Sequence, residues 1–226
     1  FLALATLAVG RLGASEPESA SVVLPVLQRF LSVSDPSPVR YRALRHMEAT
    51  CEHFASDAWM DVWTEVDASG TMQYRIVSEG GSSYIRSKVF RGLLDAERKA
   101  VNSGAPGHAG INHRNYSFED RGLAPGGLAH LTIKPLRKDV LLVDGSIFLR
   151  PGDGELTRLQ GRLSKTPSFW VRRVEIVRDY QRLSGETMPV ALESVANLLV
   201  AGRSTFKMSY EYESINGRRV GTPQPR

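Results

Sequence analysis

The chain has 226 residues, 42% of them hydrophobic and 23% charged, with a formal net charge of +5. That length suits one sizeable domain or two small ones, and the composition excludes a disordered or collagen-like chain. The positive balance is dispersed, with arginines beside acids in "LDAERKA" and "VRRVEIVRD", which predicts a solvated surface and no nucleic-acid partner.

The first ten residues, "FLALATLAVG", are uncharged and apolar, and small and polar residues follow them. The run is too short for a bilayer, which takes ~20 residues, but it fits the apolar core and cleavage region of a secretory signal. Residues 1–20 are therefore expected to be a signal remnant and polar lead. Ser21 to Val33 then places Val23, Leu27, Phe30 and Leu31 at helical spacing, with Pro25 tolerated in the first turn.

From Tyr41 the period changes to two. "YRALRHMEA" aligns Tyr41, Ala43, Met47 and Ala49; "AWMDVWTEVD" aligns Met60, Val62 and Val66; and "TMQYRIVSE" aligns Met72, Tyr74 and Ile76. Trp59 to Glu79 is expected to be a hairpin turning at "ASGT". Cys51 is the single cysteine, so an intrachain disulfide and a cysteine-based metal site are excluded.

The longest predicted helix is "SSYIRSKVFRGLLDAERKAVNSG", capped by Ser82 or Ser83 at its start and by Gly104 at its end. Its expected inward stripe is Ile85, Val89, Leu93, Ala96 and Ala100, widened by Phe90, Leu94 and Val101. Beyond the loop "SGAPGHAG", strands are expected near 113–119, 128–136, 140–144, 147–150, 156–163, 169–180, 189–199 and 204–214. They are separated by the turn sequences "DGS", "PGDG", "SGE" and "AGR". The expectation is α+β: one antiparallel sheet of about eleven strands with two helical pieces, forming a single domain over 21–217 with a tail at 218–226.

No phosphate-binding glycine loop, nucleophile elbow or metal-binding helix is present. His46 and His53 flank Cys51 and Glu52 but read as surface or packing histidines. No catalytic residue, metal site or cofactor is therefore expected, and the chain reads as a binding protein. The positive signal is the soft composition of its strand faces. The last long strand, "GRSTFKMSYEYESING", turns Phe206, Met208, Tyr210 and Tyr212 to one side and Thr205, Lys207, Ser209, Glu211 and Glu213 to the other. Methionine and aromatic rings adapt to irregular apolar partners. "PSFW" adds Phe169 and Trp170 at the head of a neighbouring strand.

The phrases "YIRSKVFRGLLDAERKAV", "NYSFED", "LLVDGSIFLRPGDGELTRLQGRLSKTPSFWVRRVEIVRDYQRLSGETMPVALESV" and "AGRSTFKMSYEYESING" resemble the LolA-like outer-membrane lipoprotein-sorting superfamily, in particular its exported bacterial members. The resemblance covers roughly Tyr41 to Gly217. It implies an unclosed antiparallel half-barrel with an apolar hollow lidded by helices. It further implies a periplasmic, monomeric carrier of lipoprotein or lipid acyl chains, exchanging cargo with membrane-associated donor and acceptor proteins. The residues expected to line the hollow are Met60, Val62, Met72, Tyr74, Ile76, Val89, Leu93, Phe169, Trp170, Leu192, Phe206, Met208 and Tyr210. A lipid sensor of the same shape is the first alternative, an envelope hydrolase the second. The chain departs from the well-studied carriers in extra material around Ser103 to Gly126 and in offering no clear match to their lid arginine.

Overall fold

The computed structural model describes residues 23–33, 39–52, 56–103, 110–166, 171–198 and 202–221. Helix α1 spans Val23–Val33 and buries Val23, Val26 and Leu27. Strands β1 (Tyr41–Cys51), β2 (Ser56–Val66) and β3 (Met72–Gly81) form a meander. Asp67 sets the β2–β3 turn by accepting from the Ser69 and Thr71 amides at 2.8 and 3.0 Å.

A helical segment follows in three parts: α2 (Ser83–Ile85), a π-turn (Arg86–Phe90) and α3 (Arg91–Asn102). The Ile85 amide donates to the Ser82 hydroxyl at 3.4 Å, so Ser82 is the N-cap. Gly104, the expected C-terminal cap, lies outside the described residues, as does His53. The chain then runs through β4 (Tyr116–Leu123), β5 (Ala129–Pro135), β6 (Val143–Leu149), β7 (Leu156–Leu163), β8 (Val171–Leu183), β9 (Glu186–Leu198) and β10 (Gly202–Ile215). The two-residue β11 (Arg218–Arg219) ends the series. Among the described residues no helix is long and apolar enough to cross a membrane.

All eleven strands join one antiparallel sheet, ordered β3-β2-β1-β10-β9-β8-β7-β6-β5-β4 with β11 on β10. The sheet is unclosed, with β3 and β4 as its edges. The helical segment carries the chain from one edge toward the other, and the meander β4 to β10 returns to pair with β1.

Two departures from the sequence reading have local causes. "DGS" is not a turn: β6 runs straight through Gly145, which pairs with Gly161 of β7. A Cβ on Gly145 would lie 2.1 Å from the Gln160 carbonyl oxygen, and one on Gly161 would lie 2.4 Å from that of Asp144. Glycine here serves close strand approach rather than reversal, so two expected strands become one. The count of eleven is restored by β11, because Asn216 and Gly217 both take positive φ (49° and 76°) and fold the expected tail back on β10.

Paired residues in an antiparallel sheet point to the same side, so the register identifies the inner face. One row crosses the ten strands: Glu79, Met60, Met47, Met208, Leu192, Arg178, Leu159, Ile147, Leu131 and Asp120. Both helices pack on this side. Helix α1 joins Leu131, Ile147 and Leu159 in one apolar cluster, whereas Ile85, Phe90 and Leu94 join Met47, Met60 and Met208 in another.

The opposite side is polar. There His46 pairs through Nδ1 with the Asp61 carboxylate at 2.6 Å and through Nε2 with that of Glu48 at 2.9 Å. The Asp61 and Glu48 hydrogen bonds raise the imidazole pKa above its ordinary 6.5, while His46 lowers that of Asp61. The His46 contribution to stability is therefore complete below the unfolded pKa and fades as pH rises through the folded one. That of Asp61 is present above its unfolded value and fades in acid. An NMR titration of the His46 ring is expected to give a midpoint above 6.5, and D61N should bring it down.

Candidate functional site

Helix α3 is tied to β3 by polar contacts along one flank. The Glu79 carboxylate accepts from Arg91 at 2.8 Å and Arg86 at 2.7 Å, and the Arg91 hydrogen bond holds its pKa below the usual carboxylate range. The Tyr74 hydroxyl donates to Asp95 at 2.8 Å, and Arg98 donates to the same carboxylate at 2.9 Å while lying over the Tyr74 ring. At the helix end, Asn102 accepts from the Met72 amide at 2.7 Å.

The second attachment comes from within the sheet. Arg45 of β1 is 1% exposed and grips Glu97 of α3 with both terminal nitrogens, at 2.5 and 2.9 Å. The Tyr41 hydroxyl accepts from Arg45 at 2.8 Å, and the guanidinium carbon lies 4.9 Å from the Tyr210 ring centre. Burial disfavours the Arg45 cation, but Glu97, Tyr210 and Tyr41 together outweigh it and the pKa rises above the ordinary value. Burial also pushes Tyr210 up to about 12 and raises Tyr41 and Tyr212. Tyr212 stacks on Tyr210 with centroids 5.9 Å apart and donates to the Pro189 carbonyl at 2.7 Å.

Arg45 continues the alternation of Tyr41, Ala43, Met47 and Ala49, between Ala43 and Met47, and the apolar pattern of this face passes over it. A charged residue on the apolar face of a strand was the available signal.

The expected hollow-lining residues divide into four groups. Met60, Val62 and Met72 are fully buried, and Leu192 and Met208 nearly so. Tyr74, Ile76, Phe206 and Tyr210 are half-buried and pack against the cluster beneath the helix. Val89 and Leu93 are 39% and 36% exposed, contrary to the expected inward stripe. The π-turn is the cause. It places Ile85 and Phe90, five residues apart, on one face, and lets Arg86 and Arg91, also five apart, reach the same Glu79. The buried stripe becomes Ile85, Phe90 and Leu94. By helical spacing, Leu93 then shares the flank of Glu97, which binds Arg45 of β1, away from the flank bound to β3. Phe169 and Trp170, the fourth group, lie outside the described residues.

Where the two apolar clusters meet, a strip of inner face is half-buried rather than fully buried. Ile176 touches both clusters; Tyr180 borders the first, and Phe206 and Tyr210 border the second. All four are half-buried. Arg178 lies in the same inner row, and Arg45, stacked on Tyr210, lies beneath Glu97 of α3.

No family model matches the chain, and no match to a curated protein was found. Among solved structures, the chain has similarity to a DUF1329 family protein from Desulfovibrio piger ATCC 29098. The identity is 10% and the TM-score 0.32, over 91% of this chain and 95% of that one.

Proposed function

We propose that the inner face is a lipid-binding groove and that the protein is a LolA-like half-barrel, a periplasmic carrier that shields the acyl chains of a lipoprotein or lipid between membranes. The observation that carries this reading is the half-buried strip of Ile176, Tyr180, Phe206 and Tyr210 between two closed apolar clusters. Each acyl methylene kept from water is worth ~0.8 kcal/mol, so a carrier needs a pliable apolar surface with a removable cover. Rings and methionines supply the pliability.

The cover is α3. Few apolar side chains anchor it, and the rest of its attachment is ionic and hydrogen-bonded through Glu79, Asp95, Glu97 and Asn102. Such contacts exchange for water on opening at lower cost than apolar burial does. Swinging α3 away would extend the strip onto Met47, Met60 and Met208 and so enlarge the apolar room. Donor and acceptor proteins at the two membranes would drive that swing by binding the open form better than the closed one.

The test is uptake of a fluorescent fatty acid, with native mass spectrometry of gently purified protein for retained lipid. Binding is expected, and F206K should weaken it at least about tenfold, because it sets a charge in the apolar floor. V77K, on the exposed outer side of β3, should leave it unchanged. Failure of the unaltered chain to take up any acylated probe would refute the carrier reading.

A further inference from the structure

The inner face carries a second arginine, and its surroundings differ from those of Arg45. Arg178 stands on β8, in register between Leu159 of β7 and Leu192 of β9, so it belongs to the same inner row. Along β8 the inner residues run Val174, Ile176, Arg178 and Tyr180, which places the guanidinium directly beside the half-buried strip. Its Nε is buried and without a hydrogen-bond partner, and Tyr180 is the group whose charge acts on it most strongly.

Nearby arginines on the outer side are neutralised locally: Arg158 by Asp179 at 2.6 Å, Arg162 by Asp144 at 3.2 Å and Arg173 by Glu175 at 2.5 Å. No carboxylate among the described residues forms an ion pair with Arg178. The acid nearest in the site, Glu97, already has both oxygens on Arg45. Guanidinium stays protonated under all ordinary conditions, and inside the fold this cation is met by Tyr180, Tyr210 and, without an ion pair, Glu97, none of which caps its buried Nε. An apolar strip leading to a planar cation with no ion-pair partner among the described residues is the complement of an amphiphile with an anionic head.

We propose that Arg178 is the head-group site of the groove, binding the carboxylate or phosphate of an acylated ligand whose chain lies along Ile176 and Phe206. This rests on the carrier reading and adds the class of cargo: anionic rather than neutral amphiphiles. The fork geometry of arginine suits two parallel hydrogen bonds to such a head, and Tyr180 is placed to hold the guanidinium in line.

The experiment measures binding of dodecanoate, dodecanol and inorganic phosphate to the unaltered protein, to R178Q and to R178K by calorimetry, with circular dichroism confirming the fold of each variant. Dodecanoate is expected to bind at least about tenfold more tightly than dodecanol, consistent with charged hydrogen bonds. R178Q should abolish that preference while leaving dodecanol unaffected, and R178K should keep part of it. Equal binding of the two amphiphiles, or a preference that survives R178Q, would overturn the head-group site and leave the carrier reading standing. Phosphate binding as tightly as dodecanoate would mark a free-anion site and also overturn it. Binding of none of the three would remove both readings. Should R178Q fail to fold, the comparison of dodecanoate with dodecanol on the unaltered chain still decides.

Discussion

Removing the Glu97 carboxylate is expected to destabilise the protein more than removing the arginine it binds. In E97A the Arg45 guanidinium, 1% exposed, keeps its charge and loses its counter-ion, a situation that costs about 3 kcal/mol or more. The Tyr41 hydroxyl and the Tyr210 ring remain beside it, and neither is an anion. In R45M the opposite holds. The methionine occupies the arginine's apolar stem space next to Met47 and Val62, while Glu97, whose side chain is 33% exposed, turns to water. That change should cost about 1 kcal/mol or less, because the desolvation of a buried cation disappears with it. Urea unfolding of the two variants and of the double variant R45M/E97A checks the order, with the double variant close to R45M alone. Both variants should also open α3 more readily, so lipid uptake should be faster in R45M than in the unaltered chain. Equal losses in E97A and R45M would show that the pair does not bear on stability as a buried ion pair.

Legibility of the fold in the sequence follows the physics of each segment. The hairpin from Trp59 to Glu79 was readable because alternation and a turn signal agree, and the structure adds only that Asp67 organises the turn. The face of β10 was readable for the same reason: Met208 is buried, Phe206, Tyr210 and Tyr212 are half-buried, and Lys207 and Glu211 are exposed. Gly145 misled because glycine has two uses that one sequence does not separate, positive φ in turns and close approach between strands. Its partner Gly161 is sixteen residues away in the chain, and only the pairing reveals why both must lack a side chain.

The site was less legible than the sheet. Pattern reading seeks apolar residues on an inner face and so passes over Arg45 and Arg178, the charged residues that give this face its chemistry. Their significance depends on partners in other elements. Glu97 neutralises Arg45 from a helix more than fifty residues away (Glu97 and Arg45 are 52 apart), and Arg178 stands out only once its neighbours' ion pairs are known. The phase of the helix was hidden for a separate reason. A π-turn adds one residue to a turn without any proline or glycine to mark it, and "RSKVF" has ordinary helical composition.

That phase shift yields the sharpest test of the covering helix. Truncation of Phe90 is expected to be the most damaging change in the segment: in F90A a fully buried ring, 6.0 Å from Phe206 and packed in the cluster with Met47 and Met60, is replaced by a cavity. Such a loss costs about 3–5 kcal/mol. V89A, one residue earlier, removes a side chain that is 39% exposed and should change stability by about 0.5 kcal/mol or less. A regular α-helix starting at Ile85 would give the reverse, because Val89 and Leu93 would then lie beneath it. Chemical denaturation of F90A, V89A and L93A therefore reads out the helix register directly. The functional expectation differs from the energetic one. V89A should leave fatty-acid uptake intact, whereas L93A, on the Glu97 flank beside the strip, should weaken uptake with little loss of stability. Equal and large destabilisation by V89A and F90A would place the wrong face of the helix against the sheet, and the groove beside it would have to be redrawn.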